Sequence, residues 1–134
     1  MTTTDRNQIN VLDLPARGPW ANGMRVGNLV FTSGQVPVDP TTGKVAGPGM
    51  PEQVRQSMDN IIAILAEVGA DSSSIVKVTV YLRNESDFDA MNLAYGGYFP
   101  VGKHPARTTV TVANLPIIDD VMCRVIIEAI AVLA

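Results

Sequence analysis

The chain has 134 residues, of which 46% are hydrophobic and 17% are charged, and this composition predicts a single globular domain over residues 1–134. Its formal net charge of −3 argues against nonspecific binding of nucleic acid, which depends on clustered Lys and Arg side chains. No stretch is apolar for the length that a membrane span requires, and Met1–Asn10 lacks the apolar run of a signal peptide. The single cysteine, Cys123, gives neither an internal disulfide nor a metal-ligand set, so we expect a packed thiol in a reducing, cytoplasmic compartment.

The first part of the chain predicts a β-hairpin followed by an irregular segment. Met24–Val26 and Leu29–Ser33 are strand-like in composition and flank Gly27-Asn28, a pair typical of tight turns. Turn-forming residues then cluster in Asp39–Gly43. The Gly- and Pro-rich segment that continues to Met50 is expected to be irregular.

A helix and a strand are predicted next. Pro51 suits the first turn of the helix, and Gly69 suits the residue just past its end. The apolar stripe of this helix consists of Val54, Met58, Ile61, Ile62, Leu65 and Val68. The following segment, Ile75–Leu82, is rich in β-branched residues and predicts a strand. One face of that strand is expected to carry Val76, Val78, Val80 and Leu82.

A second helix is predicted around residue 90. Ser86, with Asp89 three residues later, resembles a capping box. The apolar stripe consists of Phe88, Met91, Tyr95 and Tyr98 or Phe99. Gly96-Gly97 weakens the last turn, and Pro100 ends the helix.

Two strands are predicted in the remainder of the chain. Arg107–Val112 alternates and is rich in β-branched residues, a turn covers Leu115–Asp120, and Met122–Leu133 predicts one long final strand. The apolar run Val125–Ile127 does not alternate, which predicts that both of its faces are covered.

The element order β-β-α-β-α-β-β predicts an α+β domain of two layers, in which a mixed sheet carries both helices on one face. Its other face would expose a large apolar patch. Oligomerisation through that face is therefore expected.

Six stretches of this sequence resemble the RidA/YjgF family, and together they cover nearly the whole chain in order. They are Gly27–Gln35, Gln53–Gln56, Val76–Leu82, Asn92–Tyr95, Pro105–Val110 and Ile127–Ala131. The resemblance implies a chorismate-mutase-like fold assembled as a homotrimer with three intersubunit clefts. It also implies hydrolysis of 2-aminoacrylate-type imines and enamines to 2-keto acids and ammonia, without a metal or an organic cofactor.

Arg107 matches the carboxylate anchor of that family. It follows Pro105-Ala106 at the start of a predicted strand. A planar guanidinium binds a carboxylate through two parallel hydrogen bonds, which suits a 2-imino acid. The alternative for this arginine is a salt bridge at the surface or at an interface.

Three further positions are expected to bind substrate, and Ser33 is a catalytic candidate. The Ser33 hydroxyl is suited to bonding a substrate or its attacking water, and Gly34 permits close approach; an ordinary strand end is the alternative. Trp20 stands where relatives carry a tyrosine, so its role shifts to stacking, to closing the pocket or to plain packing. Asn92 is expected either to bond backbone across the cleft or to be a solvated amide on a helix surface.

The catalytic chemistry is where the chain departs from its relatives. Thr109 stands where many deaminating relatives carry a cysteine, and it either supplies a second catalytic hydroxyl or is a plain strand residue. Ile126, included among the substrate-binding residues, falls at the position of the catalytic glutamate and cannot position or deprotonate water. Glu128 projects from the same face of the strand but matches a different family position. The lone His104 and the turn residues Asp119–Asp120 are expected to be solvated.

These residues predict a divergent imine or enamine deaminase with altered or weak activity toward a small carboxylated substrate. The alternative is a protein that binds 2-keto acids or similar carboxylates without turnover. A ribonuclease or translation-inhibitor role, reported for some relatives, gains little support from an acidic chain that has no His/Glu or His/Lys pair.

Overall fold

The computed structural model describes residues 5–14 and 16–134. Its helices and strands, in chain order, are β1 Arg6–Ile9, β2 Gly23–Val26, β3 Leu29–Thr32, β4 Val38–Asp39, β5 Lys44–Val45, α1 Met50–Ala66, β6 Ile75–Leu82, α2 Phe88–Gly96, β7 Ala106–Thr111, β8 Ile117–Ile118, β9 Val121–Met122 and β10 Val125–Val132. This mixture of a sheet and two helices confirms the predicted α+β class. Within the described ranges, neither helix has the length and apolarity needed to cross a membrane.

Six strands form the main sheet in the order β1-β2-β3-β10-β6-β7. All neighbours are antiparallel except β6 and β7, which are parallel, and β7 lies at an edge. The predicted hairpin is confirmed as β2 and β3, with Gly27 at φ 58° in its turn. Strand β1 was not predicted; the first four residues of the Met1–Asn10 stretch lie outside the described residues.

Helix α1 covers the centre of the sheet, and its predicted apolar stripe is confirmed at four of six positions, whereas Ile62 is only partly buried and Val68 lies beyond the end of the helix at Ala66. Val54, Met58, Ile61 and Leu65 are fully buried. The same helix buries Gln53, Ser57 and Asn60, whose side chains bond to main-chain groups of neighbouring segments. Ser57 Oγ donates to the carbonyl of Gln35 at 2.9 Å, and Asn60 Nδ2 donates to that of Val38 at 2.9 Å. These bonds tie the segment after β3 to the helix.

Helix α2 packs against α1, but it begins differently from the prediction. Glu85–Asp87 forms a 3-10 turn, and the helix starts at Phe88 without a side-chain cap, so the predicted Ser86–Asp89 capping box is wrong. The carboxylate of Asp87, the cap residue, instead pairs with Arg124 at 3.2 Å. The helix ends at Gly96, where the glycine pair predicted fraying.

The apolar stripe predicted for α2 is confirmed at two positions and wrong at one, and its last member, Phe99, lies beyond the end of the helix. Met91, Tyr95 and Phe99 are buried, whereas Phe88 is 41% exposed. The Phe88 ring faces the Arg107 guanidinium instead of the core.

The prediction for strand β6 is confirmed in extent and wrong for one side chain. Ala131 pairs with Ile75 and Ile130 pairs with Lys77, so Val76 has no partner on β10. This bulge turns Val76 outward, where it is 46% exposed, while Ile75 takes the inward position.

The long final strand predicted for Met122–Leu133 is also wrong, because the chain leaves the sheet at two residues. The amide of Cys123 donates to the carbonyl of Pro116 at 2.9 Å, and the amide of Arg124 donates to Gln53 Oε1 at 2.7 Å. Strand β9 therefore pairs with β8 in a separate hairpin, and β10 begins only at Val125. Asp119 and Asp120, at φ 50° and 65°, form the tight turn of that hairpin.

Both helices cover one face of the sheet, as predicted, and the opposite face is open in the single chain. On β10, Val125, Ile127, Ala129 and Ala131 face the helices and are buried, whereas the alternate residues are partly exposed. Four large apolar side chains of the open face are between 36% and 41% exposed: Leu29, Phe31, Val110 and Val132. Because Ile126 belongs to this face, the single chain does not cover both faces of Val125–Ile127.

Candidate functional site

The predicted site residues fall into two groups on different parts of the fold. Arg107, Thr109 and Asn92 lie where the edge strand β7 meets α2, while a second group surrounds the end of β3. Arg107 pairs with Val78, which is buried toward the helices, whereas Ile126 pairs with Tyr81 on the open face. Their strands are two intervals apart in the sheet, roughly 10 Å. One chain therefore cannot bring Arg107 and Ile126 to the same small ligand.

The Arg107 guanidinium is held from several sides by α2. One terminal nitrogen donates to Asn92 Oδ1 at 2.6 Å, and the other lies 3.8 Å from Met91 Sδ. The guanidinium carbon is 4.9 Å from the centre of the Tyr95 ring and 5.8 Å from that of the Phe88 ring, within range of cation–π attraction. These contacts orient the guanidinium plane before any ligand binds.

Arg107 has no carboxylate partner among the described residues. Its charge is partly buried, and a buried charge is unfavourable unless it is paired. Asp87, the acidic residue just before α2, is engaged by Arg124. The arrangement therefore favours an anion from outside the chain, and a carboxylate fits the planar fork of the guanidinium.

Two hydroxyl groups near Arg107 are buried without a hydrogen-bond partner in the described part of the chain. They belong to Tyr95 and Thr109. Burial raises the pKa of Tyr95 to about 12, although the positive charge of Arg107 opposes that shift. Tyr95 is therefore a neutral phenol, and Thr109 keeps an unused donor and acceptor beside the cleft.

Two open cavities flank the Arg107 side chain along β7. One has a volume of about 460 Å³ and is lined by Asn92, Tyr95, Gly96, His104, Pro105 and Arg107. The other has about 500 Å³ and includes Phe88 and Thr109 in its lining. Arg107 itself lines the first cavity, and Phe88, whose ring centre is 5.8 Å from the guanidinium carbon, lines the second.

The second group of predicted residues surrounds the end of β3. Continuing the β3–β10 register would place Gln35 opposite Ile126, but Gln35 pairs with Ile127, so Ser33 and Gly34 accommodate one extra residue. Ser33 Oγ donates to the carbonyl of Ala21 at 2.6 Å, which leaves its lone pairs free. A Cβ at Gly34 would lie 2.9 Å from Ile126 Cγ2, so Ile126 packs directly against this glycine.

A third cavity, which we call the Trp20 cavity, opens beside this group. It has a volume of about 450 Å³, and its apolar lining includes Leu14, Trp20, Val36, Val38, Pro40 and Ile118. Gly34 also lines it. Trp20 itself is 52% exposed at its rim. Two predicted substrate-binding residues thus belong to one apolar cavity.

Glu128 projects from the same face of β10 as Ile126, as predicted. Its carboxylate accepts a hydrogen bond from the Tyr81 hydroxyl, and this bond raises the pKa of Tyr81. The neighbouring pair Lys77 and Thr108 also bond to each other on the open face, at 2.6 Å. Glu128 is therefore engaged within the sheet by a residue of the neighbouring strand β6.

The remaining candidates have structural surroundings. The His104 ring lies 6.0 Å from the Phe99 ring between centroids and is exposed, while Cys123 is fully buried, as expected for a packed thiol. Burial raises the pKa of the Cys123 thiol. No cluster of three or more metal-ligating side chains occurs in residues 5–14 and 16–134.

Sequence reasoning missed the residues that orient Arg107. The sequence pattern assigns Phe88, Met91 and Tyr95 only to the helix core and leaves Asn92 either bonding backbone across the cleft or solvated, whereas all four contact the Arg107 guanidinium. Their spacing of three or four residues placed them on one side of α2, and this was the available signal. It did not show that an arginine from β7 would reach that side.

Comparisons with known proteins agree with this architecture. The family described as Endoribonuclease L-PSP matches residues 11–133. A RutC family protein of Pyrococcus abyssi is 45% identical over 114 residues, covering 85% of this chain and 86% of the relative. The 2-iminobutanoate/2-iminopropanoate deaminase of Escherichia coli K12 is 43% identical over 119 residues, covering 87% and 89%.

A solved structure gives the same result for the fold. The crystal structure of Escherichia coli TdcF with bound serine superposes with a TM-score of 0.84 at 37% identity, covering 96% of this chain and 99% of that one. Sequence and structure thus agree along almost the whole length of the chain. The chain belongs to the RidA/YjgF family, whose family description is Endoribonuclease L-PSP.

Proposed function

We propose that this protein hydrolyses small carboxylated imines or enamines to 2-keto acids and ammonia, with Arg107 anchoring the carboxylate. The observation that carries the proposal is the Arg107 guanidinium, which is oriented by Asn92 and two aromatic rings and has no carboxylate partner in the described chain. The names of two relatives support it, because one is an iminobutanoate and iminopropanoate deaminase and the other binds serine. All three compounds carry a carboxylate next to the carbon that bears nitrogen.

The reaction adds water across the imine. The oxygen of water bonds to the imine carbon, and the carbon–nitrogen bond then breaks, so that a keto oxygen and ammonia are formed. An enamine first takes a proton at its terminal carbon and becomes the same imine. Binding the carboxylate to Arg107 fixes the imine carbon, and the free lone pairs of Ser33 and the unused hydroxyl of Thr109 are suited to hold the attacking water.

The cleft is completed by two copies of the chain. Arg107 and Ile126 occupy opposite faces of the sheet, so a ligand that touches both groups of residues needs a second copy. The open face carries the exposed side chains Leu29, Phe31 and Val132, which a second copy would cover. A homotrimer satisfies both requirements, and light scattering at micromolar concentration tests it: a monomeric mass contradicts the shared cleft.

Ile126 supports a second candidate function. A hydrophobic side chain packed against Gly34 cannot deprotonate water, and general acid–base help is typically worth about 10²–10⁴-fold in rate. Without that help, the clefts would hold 2-keto acids or similar carboxylates without turning them over.

One experiment separates these two functions. Iminopyruvate is generated in situ from alanine by an amino-acid oxidase, and its decay is followed with wild type, Arg107→Gln and the control Arg55→Ala, which changes an exposed arginine of α1. We expect wild type and the control to accelerate decay over buffer and Arg107→Gln to lose about 10²-fold, because two charged hydrogen bonds are removed.

The opposite outcome is equally clear. Decay that wild type does not accelerate, together with saturable pyruvate binding that Arg107→Gln abolishes, contradicts the deaminase and leaves the binding protein. Binding that survives Arg107→Gln contradicts the anchor in both functions.

A further inference from the structure

The Trp20 cavity is larger than the proposed reaction on small imines requires. Its volume is about 450 Å³, whereas a cavity of about 150 Å³ is enough to hold a benzene molecule. The methyl or ethyl group of a small 2-imino acid would occupy only a minor part of it. The cavity therefore has room for a branched or aromatic side chain.

The polar side chains in the wall of this cavity are already engaged. Each donates to a main-chain carbonyl oxygen at a distance between 2.8 and 3.3 Å. They are Arg17, Asn22, Gln35 and Asn60. The remaining charged lining residue, Asp13, is exposed. The amides of Asn22 and Asn60 are bonded through both oxygen and nitrogen, and Arg17 is exposed like Asp13, so a polar ligand group in the buried part of the cavity would lose its bonds to water and gain few in return.

The wall of the cavity reaches the predicted reacting centre at Gly34. Gly34 is part of the lining and follows Ser33, whose lone pairs face no donor in the described chain. Ile126 packs against Gly34 and makes this boundary apolar as well. A substrate carbon held near Ser33 and Gly34 therefore has an apolar path into the cavity.

We infer that the Trp20 cavity receives the side chain of the substrate, and that the preferred substrates are 2-imino acids with branched aliphatic or aromatic side chains. This inference rests on the proposed function, since the cavity selects the substrate only if the reaction takes place beside it. Arg107 of a neighbouring copy then binds the carboxylate, which all 2-imino acids share. The cavity distinguishes among them by burying apolar surface.

The test compares imines that differ only in their side chains. Wild-type protein is assayed with imines generated from alanine, leucine and phenylalanine by an amino-acid oxidase, with trapping of the surviving imine. We expect kcat/KM for the leucine imine to exceed that for the alanine imine by at least about 10-fold, because methylenes in a hydrophobic pocket discriminate by about 10-fold or more.

Variants locate the selectivity in the cavity. Val36→Phe fills it from a partly buried wall position, and Ala16→Phe does so from an exposed loop position, where folding is not at risk. Both are expected to lower the leucine-to-alanine ratio by about 10-fold. Val101→Phe, at a position that is 97% exposed, is the matched control and is expected to keep the wild-type ratio.

A binding measurement with keto acids tests the inference even if the protein hydrolyses none of the imines. Trp20 is the single tryptophan of the chain and lies at the rim, so its fluorescence reports occupancy of the cavity. We expect 4-methyl-2-oxopentanoate to bind at least about 10-fold more tightly than pyruvate. If the protein accelerates the decay of none of the imines, only the proposed reaction is contradicted. The titration with keto acids then tests whether the cavity binds the side chain. Equal or weaker response to the larger compounds, in rates or in binding, overturns this inference and leaves the proposed function in place.

Discussion

The candidate site has two halves that are built in opposite ways. The Arg107 half is Arg107 with its neighbours on α2, and the Trp20 half is the Trp20 cavity with the end of β3 and Ile126. The first presents a charged group that neighbouring side chains orient but do not neutralise. The second satisfies its polar side chains with main-chain carbonyls and leaves an apolar cavity. In the proposed function, the difference separates two tasks: the first half recognises what all 2-imino acids share, and the second recognises the side chain by which they differ.

The two halves also differ in what they need from the sheet. Arg107 belongs to the edge strand β7 and reaches the helix-covered side, whereas Ile126 belongs to β10 and faces the open side. Neither half alone contains both an anchor and an apolar cavity. Each chain therefore supplies half of two different clefts in the proposed assembly.

The largest expected change comes from restoring an acid to the Trp20 half. Ile126→Glu places a carboxylate against Gly34 and is expected to raise kcat/KM for imine hydrolysis by about 10²-fold, because it supplies the missing general acid–base. Imine decay kinetics measure the change. Ile130→Glu, four residues further along β10 on the same face, is the control and is expected to leave the rate unchanged. If a folded Ile126→Glu protein shows no increase in rate, the role assigned to this position is wrong.

A smaller effect is expected from loosening the anchor in the Arg107 half. Asn92→Ala removes the 2.6 Å bond to the guanidinium, and a hydrogen bond to a charged group is worth about 1.5–3 kcal/mol. KM is expected to rise by about 10-fold while kcat changes less, because the anchor acts on binding. Steady-state kinetics with Asn84→Ala, an exposed asparagine, as control measure it. A fall in kcat at constant KM would show that Asn92 acts on the reaction and not on the anchor.

The smallest effect concerns stability within the Arg107 half. Tyr95→Phe keeps the ring under Arg107 and removes a buried hydroxyl that has no partner, so it is expected to raise the free energy of unfolding by about 1 kcal/mol. Tyr98→Phe removes a hydroxyl that bonds Asp59 at 2.7 Å and the carbonyl of Arg55 at 3.0 Å, so it is expected to lower that energy by a similar amount. Urea titrations measure both.

The pH dependence of the same variant provides an independent check. The pKa of Tyr95 is raised to about 12 in the folded chain, so between pH 10 and 12 the folded state keeps a proton that the unfolded state has released. Stability is therefore present below pH 10 and falls as pH rises toward 12. Wild type should lose more stability than Tyr95→Phe over this range. Equal losses would mean that the hydroxyl has a partner in the assembled protein.

Elements with a local signal were predicted well, and errors arose where a distant contact decided the structure. The stripe of α1 and the extent of β6 follow from spacing within a few residues. The break at Cys123 and Arg124 depends on bonds to Pro116 and Gln53, and residue spacing on the final strand does not reveal them. The capping box failed because the helix begins at Phe88, which makes Asp87 and not Ser86 the cap residue, and Asp87 pairs with the distant Arg124.

The site shows the same division. Arg107, Trp20, Gly34 and Ile126 were singled out by their match to family motifs, whereas the aromatic support of Arg107 and the apolar cavity became visible only in the fold. Asn92 was also singled out, but its bond to the Arg107 guanidinium became visible only in the fold.

By itself, the sequence determined the α+β class, the two helices and the principal strands, because periodicity is a property of neighbouring residues, and the family resemblance singled out Arg107 as the proposed anchor. Only the tertiary structure decided that Arg107 lies among the side chains of α2, with no carboxylate partner in the described residues, and that Ile126 faces the other side of the sheet. Strand order and pairing set these positions, and they join residues far apart in the chain. The separation of the anchor from the cavity is therefore a property of the sheet and not of either motif.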